Sequence, residues 1–96
     1  MKPGALLVNT SRGPLVDEAA LVDALRGGKL RAALDVYDRE PLPAGHPLRS
    51  LSNTVLTPHL GYTTRDTFAE FYRQSIENTL AFLDGKPVRV MQRRAS

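Results

Sequence analysis

Cysteine is absent from the 96 residues, so neither a disulfide framework nor a thiolate metal site is available. Histidine occurs only at positions 46 and 59 and never in HExxH spacing, so no metal site is expected. No apolar run approaches the ~20 residues of a membrane span, and the start Met1-Lys2-Pro3-Gly4 lacks an apolar signal core. A cytoplasmic protein with no membrane partner is the default expectation. The glycines at positions 4, 13, 27, 28, 45, 61 and 85 include no GxGxxG, so the turn that cradles a dinucleotide pyrophosphate is missing from these residues.

What is present is ordinary for a globular chain: 42% hydrophobic and 24% charged residues. The length suits one small domain, burying about 60–65% of its unfolded surface. A net charge of +3 raises the question of nucleic acid. The arginines are scattered except at Arg89, Arg93 and Arg94, and no zinc-finger, RNP or helix-turn-helix pattern occurs. A frayed basic tail, and no nucleic-acid partner, is the expectation.

Along the chain, Ala5-Leu6-Leu7-Val8-Asn9 follows a Pro-Gly turn signal and reads as a buried strand. Asp17 can cap a helix over Glu18–Arg26, with Leu21, Ala24 and Leu25 at helical spacing. Gly27-Gly28 ends it through a left-handed cap. Residues 31–36 read as a second strand, small and apolar enough for a sheet covered on both faces. Residues 37–53, punctuated by Pro41, Pro43, Gly45 and Pro47, read as loop, and 54–57 as a third strand. A long helix opens at Thr63 or Thr64, with Thr63-x-x-Asp66 resembling a capping box. Phe68, Tyr72, Ile76, Leu80 and Leu83 share one of its faces, and Gly85 and Pro87 end it. Val88 and Val90 suggest a short extended tail.

This order is α/β with parallel strands, part of a doubly wound sheet. In such sheets active groups gather just past the carboxyl ends of strands. Arg12 follows the first strand, residues 35–40 the second and His59 the third, which places all three groups at one sheet edge. Arginine grips a carboxylate through two parallel hydrogen bonds. A histidine can pass a proton to a keto oxygen and take it back in reverse. A glutamate can fix the imidazole through its other nitrogen. Hydride must come from a cofactor, because no side chain delivers one. Each residue alone has a plainer reading: Arg12 in a surface Ser-Arg-Gly turn, Glu40 as solvated loop, His59 as a turn residue. Asp35 either caps a strand end or meets a nicotinamide amide, and His46 reads as a loop residue.

These residues stand in recognisable segments. They are Met1-Lys2-Pro3-Gly4-Ala5 through Val8-Asn9-Thr10-Ser11-Arg12-Gly13, Leu15-Val16-Asp17-Glu18-Ala19-Ala20-Leu21, Ala32-Ala33-Leu34-Asp35-Val36, Glu40-Pro41-Leu42-Pro43, His46-Pro47-Leu48 and Asn53-Thr54-Val55-Leu56-Thr57-Pro58-His59-Leu60-Gly61. Over residues 1–87 the chain resembles the C-terminal part of the NAD-dependent D-2-hydroxyacid dehydrogenases, the family of D-3-phosphoglycerate, glycerate, formate and D-lactate dehydrogenases.

The resemblance implies the C-terminal half of a Rossmann-like doubly wound parallel sheet plus a long C-terminal helix. Residues 1–61 would be the C-terminal portion of the NAD-binding domain. Residues 62–96 would be a helix and tail returning towards the substrate domain. It implies Arg12, Glu40 and His59 as catalytic residues, and a nicotinamide cofactor lined by Asn9, Thr10, Ser11, Asp35, His59 and Gly61. That cofactor would be NAD, with NADP left open because the residue that chooses between them would lie before Met1. The implied partners are a small 2-hydroxy or 2-keto acid, the N-terminal part of the enzyme and, in a dimer, a second copy. The isolated chain is expected to be inactive. The alternative is a non-catalytic remnant that self-associates or pairs with another polypeptide.

Overall fold

A computed structural model describes residues 1–91 and divides the chain into two units, the first ending at Gly61 and the second beginning at Tyr62. In the first unit Gly4, at φ +75°, turns the chain into β1 (Ala5–Asn9). Asp17 accepts the Ala20 N–H and opens α1 (Glu18–Arg26). Gly27 closes that helix, and Gly28, at φ +66°, supplies the left-handed turn into β2 (Leu30–Leu34). A 3-10 turn at Pro47–Ser50 precedes β3 (Thr54–Leu56).

The three strands lie in the order β1-β2-β3, all parallel. Asn9 pairs with Leu34 and Leu34 with Leu56, so the strands end in step. The segments that follow them therefore leave from one edge of the sheet. Leu21, Val22 and Leu25 of α1 pack with Ala32, Leu34, Tyr37, Leu42 and Leu48 to make the core. Leu25 and Leu48 are its largest fully buried side chains, each contributing about 2–3 kcal/mol of apolar burial.

Three expectations are corrected in this unit. β2 stops at Leu34 rather than at residue 36: the Asp35 N–H still reaches the Asn9 carbonyl, but the Tyr37 N–H is taken by the Glu40 carboxylate instead of a neighbouring strand. β3 stops at Leu56: the Thr57 N–H makes a last bond to the Leu34 carbonyl, and Pro58 has no N–H to continue the ladder. The sheet is not covered on both faces: Leu6, Val8 and Val55 are 51%, 60% and 65% exposed. Residues 37–53 are loop except for the Pro47–Ser50 turn.

The second unit holds α2 (Arg65–Leu83). Its cap is Thr64, whose hydroxyl accepts the Thr67 N–H and donates to the Thr67 hydroxyl. The capping pair is thus Thr64 with Thr67 rather than Thr63 with Asp66. Arg73 pairs with Glu70 at 2.5 Å and with Glu77, and Arg89 pairs with Glu77 at 2.8 Å. The Arg73 guanidinium holds the Glu70 carboxyl down to about 2. No residue of α2 is buried, and the stripe of Phe68, Tyr72, Ile76, Leu80 and Leu83 is exposed. Tyr62 brings its ring to 6.4 Å from those of Phe68 and Phe71. Val88 and Val90 form no strand. Arg93 and Arg94, with the expected basic tail, lie outside the described residues. Among the described residues no helix is long and apolar enough to cross a membrane.

Candidate active site

The site is built on the edge where the three strands end. Past β3, Thr57-Pro58-His59-Leu60-Gly61 turns sharply, with His59 in the left-handed region at φ +58°. That conformation is uncommon outside glycine, and Asp35 holds it from below. Asp35 is only 5% exposed. Its Oδ1 accepts the Thr57 hydroxyl at 2.5 Å and the Leu60 N–H at 2.9 Å, and its Oδ2 accepts the Gly61 N–H at 2.8 Å. A Cβ at Gly61 would stand 3.1 Å from that Oδ2. The Thr57 hydroxyl and the Leu60 N–H hold the Asp35 carboxyl below its ordinary range, against the opposing effect of burial.

The turn presents the His59 ring to the loop after β2. His59 Nδ1 lies 2.6 Å from Glu40 Oε2, with both side chains about a third exposed. The Glu40 carboxyl is held below its ordinary value, first by the His59 hydrogen bond and then by the Tyr37 N–H, which reaches Oε1 at 3.0 Å. An ionised carboxylate only accepts, so Nδ1 carries the hydrogen and donates it. Tyr37 is buried, its hydroxyl 3.0 Å from the Leu34 carbonyl and 2.8 Å from the Thr57 carbonyl. It therefore ties the ends of β2 and β3 beneath the couple. A cavity of 490 Å³ opens beside it, lined by Tyr37, Glu40, Leu42, Arg49, Leu56 and His59 among others.

Arg12 is placed differently. It is exposed, and its Nη1 donates to the Ser11 carbonyl at 2.6 Å. Its charge nonetheless reaches Glu40 and helps hold that carboxyl down. Asn9 is buried and organises the turn: its amide donates to the Arg12 carbonyl at 2.8 Å, and its Oδ1 accepts the Ser11 N–H at 3.1 Å. Thr10, Ser11 and Gly61 are exposed along the same edge. Glu40 and His59 are thus in direct contact, the Arg12 charge acts on Glu40 through space, and Asn9 and Asp35 spend their polar atoms chiefly on the turns around them.

Sequence reading passed over Tyr37 and the pairing of His46 with Glu18, whose atoms Nε2 and Oε1 lie 3.0 Å apart. Neither carries a local signal, because the Thr57 carbonyl that Tyr37 reaches and the Glu18 carboxylate that His46 reaches come from distant parts of the chain.

A parallel sheet with polar groups converging beyond its strand ends is the layout of α/β proteins that bind their ligands at that edge. Comparison with known proteins narrows this class. Residues 1–61 match the family model of the D-isomer specific 2-hydroxyacid dehydrogenase, NAD binding domain, and the chain belongs to that family. Glyoxylate/hydroxypyruvate reductase B of Serratia proteamaculans is 45% identical over 86 residues, covering 88% of this chain and 26% of that protein. The crystal structure of the TT0316 protein from Thermus thermophilus is similar with a TM-score of 0.81 and 54% identity, over 92% of this chain and 30% of that one. A D-isomer specific 2-hydroxyacid dehydrogenase from Xanthobacter autotrophicus, in complex with NADPH and MES, gives a TM-score of 0.66 at 44% identity, over 93% of this chain and 36% of that one. The chain spans about a quarter of the length of the curated relatives it matches.

Proposed function

We propose that this chain carries the acid/base side of the active site of an NAD-dependent D-2-hydroxyacid dehydrogenase, interconverting a 2-hydroxy acid and its 2-keto acid. The observation that carries this reading is the His59 Nδ1 to Glu40 Oε2 contact of 2.6 Å at the sheet edge. With Nδ1–H committed to Glu40, Nε2 is the atom that gives a proton to the substrate keto oxygen and recovers it in reverse. The Glu40 carboxylate stabilises the imidazolium state of that cycle. Arg12 swings from the Ser11 carbonyl to grip the substrate carboxylate with its planar fork. The natural substrate class is a small 2-keto acid of the kind named for the reductase relatives.

The residues fit the nicotinamide end of a dinucleotide. The Asp35 carboxylate offers about four acceptor positions, three met by Thr57, Leu60 and Gly61, leaving one on Oδ2 for a carboxamide N–H. Thr10, Ser11 and Gly61 are exposed beside it. When bound there, the nicotinamide supplies the hydride. The pyrophosphate has no glycine-rich cradle among these residues, so we assign residues 1–61 to the C-terminal portion of an NAD-binding domain. Residues 62–96 are then the helix and tail leading back to a substrate domain, and the isolated chain turns over little or no substrate. NADP is as compatible with these residues as NAD.

Grafting residues 1–91 in place of the matching segment of the Serratia reductase tests this. The chimera should reduce glyoxylate with NADH or NADPH, and Glu40→Gln should lower kcat, by less than the about 10²–10⁴-fold that the proton-transferring group itself supplies. Undiminished turnover by that variant would remove Glu40 from the mechanism. The second reading, a non-catalytic remnant that self-associates or pairs with another polypeptide, draws on the exposed apolar face of Leu6, Val8 and Val55. A chimera with no activity and a chain that dimerises in sedimentation would favour it.

A further inference from the structure

The molecule contains a second histidine–glutamate couple, outside the site just described. Glu18 opens α1, and its two oxygens are used separately. Oε1 lies 3.0 Å from His46 Nε2, and Oε2 accepts the Asp38 N–H at 3.2 Å. His46 Nδ1 accepts the Leu48 N–H at 3.3 Å and so caps the Pro47–Ser50 turn. Nδ1 being an acceptor, the ring hydrogen sits on Nε2 and is donated to Glu18. This is the tautomer opposite to that of His59. Both side chains are about four-fifths buried.

Position gives the couple its meaning. Glu18 grips residues 38 and 46, the two ends of the segment that contains Glu40. Inside that segment the His46 N–H reaches the Pro43 carbonyl at 3.0 Å, and Arg49 donates to the Leu42 and Pro43 carbonyls at 2.6 and 2.9 Å. Gly13, next to Arg12, presses on the segment's start: a Cβ there would stand 2.1 Å from the Tyr37 carbonyl carbon. The loop is therefore stitched within itself and anchored to the rest of the unit through Glu18. We propose that Glu18 and His46 are positioning residues, a clip from α1 that closes the loop of residues 38–46 and sets where Glu40 meets His59.

The proposal rests on Glu40 being the orienting partner of His59, and its test separates the two ideas. In the full chain, proton NMR follows the His59 Nδ1–H, which a 2.6 Å bond to a carboxylate moves far downfield. Carbon NMR follows the titration of the Glu40 carboxyl, and thermal melts follow stability. Glu18→Ala removes the clip. His46→Asn keeps an oxygen able to cap the Leu48 N–H but is too short to reach Glu18. Both variants should weaken or erase the downfield signal and move the Glu40 titration up towards the ordinary glutamate range. Ser50→Ala, which loses only the Ser50 to Pro47 bond in the same turn, should leave both unchanged. If Glu18→Ala loses the fold, His46→Asn carries the test. Folded variants whose signals stay at wild-type positions would overturn the clip. The reading of Glu40 itself falls separately, if Glu40→Gln leaves the turnover of the reductase chimera unchanged.

Discussion

At the residue scale the chemistry is concentrated in few atoms, and each makes a separate forecast. Arg12 is the only arginine just past β1, and its value there is a planar fork. Arg12→Lys in the reductase chimera should raise KM for the 2-keto acid about 10-fold or more, the loss of one charge-assisted hydrogen bond, with a smaller change in kcat. Steady-state kinetics decide it, and an unchanged KM would leave Arg12 as a surface residue. Asp35 and Glu40 both have carboxyls held below their ordinary range. Such groups add stability at neutral pH that disappears as pH falls through their lowered folded-state values. Asp35→Asn should therefore melt lower than wild type at neutral pH, and the gap should close in acid. A gap that stayed constant with pH would place the contribution of Asp35 outside its charge.

At the scale of elements, local signals were legible and distant ones were not. β1 and α1 lie where the sequence puts them because Gly4, Asp17 and the Gly27-Gly28 pair are punctuation that acts on its own neighbours. β2 ends short of its expected bound because the Tyr37 N–H is given to the Glu40 carboxylate rather than to a strand, a choice that depends on the folded loop. The same holds for the candidate site. The meeting of Glu40 with His59 past the strand ends was legible from residue type and strand positions, whereas the Glu18–His46 contact and the tie made by Tyr37 had no local pattern to show them. The loop of residues 37–50 also feeds the core, through Leu42 and Leu48. Leu48→Ala should cost about 2–5 kcal/mol in chemical denaturation. A cost below 1 kcal/mol would mean the loop packs only loosely on α1 and β2. Asn9→Ala, which leaves the Arg12 turn without its two side-chain hydrogen bonds, should cost about 1–3 kcal/mol by the same measurement.

At the scale of the whole molecule, the chain brings His59 and Glu40 together at one sheet edge and leaves apolar surface elsewhere. Leu6, Val8 and Val55 on the sheet and the Phe68 to Leu83 stripe on α2 are exposed, the condition of surfaces that other protein covers. The family model matches residues 1–61, and the chain spans about a quarter of the length of the curated relatives. The decisive measurement is kcat for glyoxylate reduction by the reductase chimera carrying His59→Gln, beside the unaltered chimera. A general acid of this kind contributes about 10²–10⁴-fold, so we expect kcat to fall by that factor with coenzyme binding retained. A His59→Gln chimera that reduces glyoxylate as fast as its parent would show that the proton comes from elsewhere.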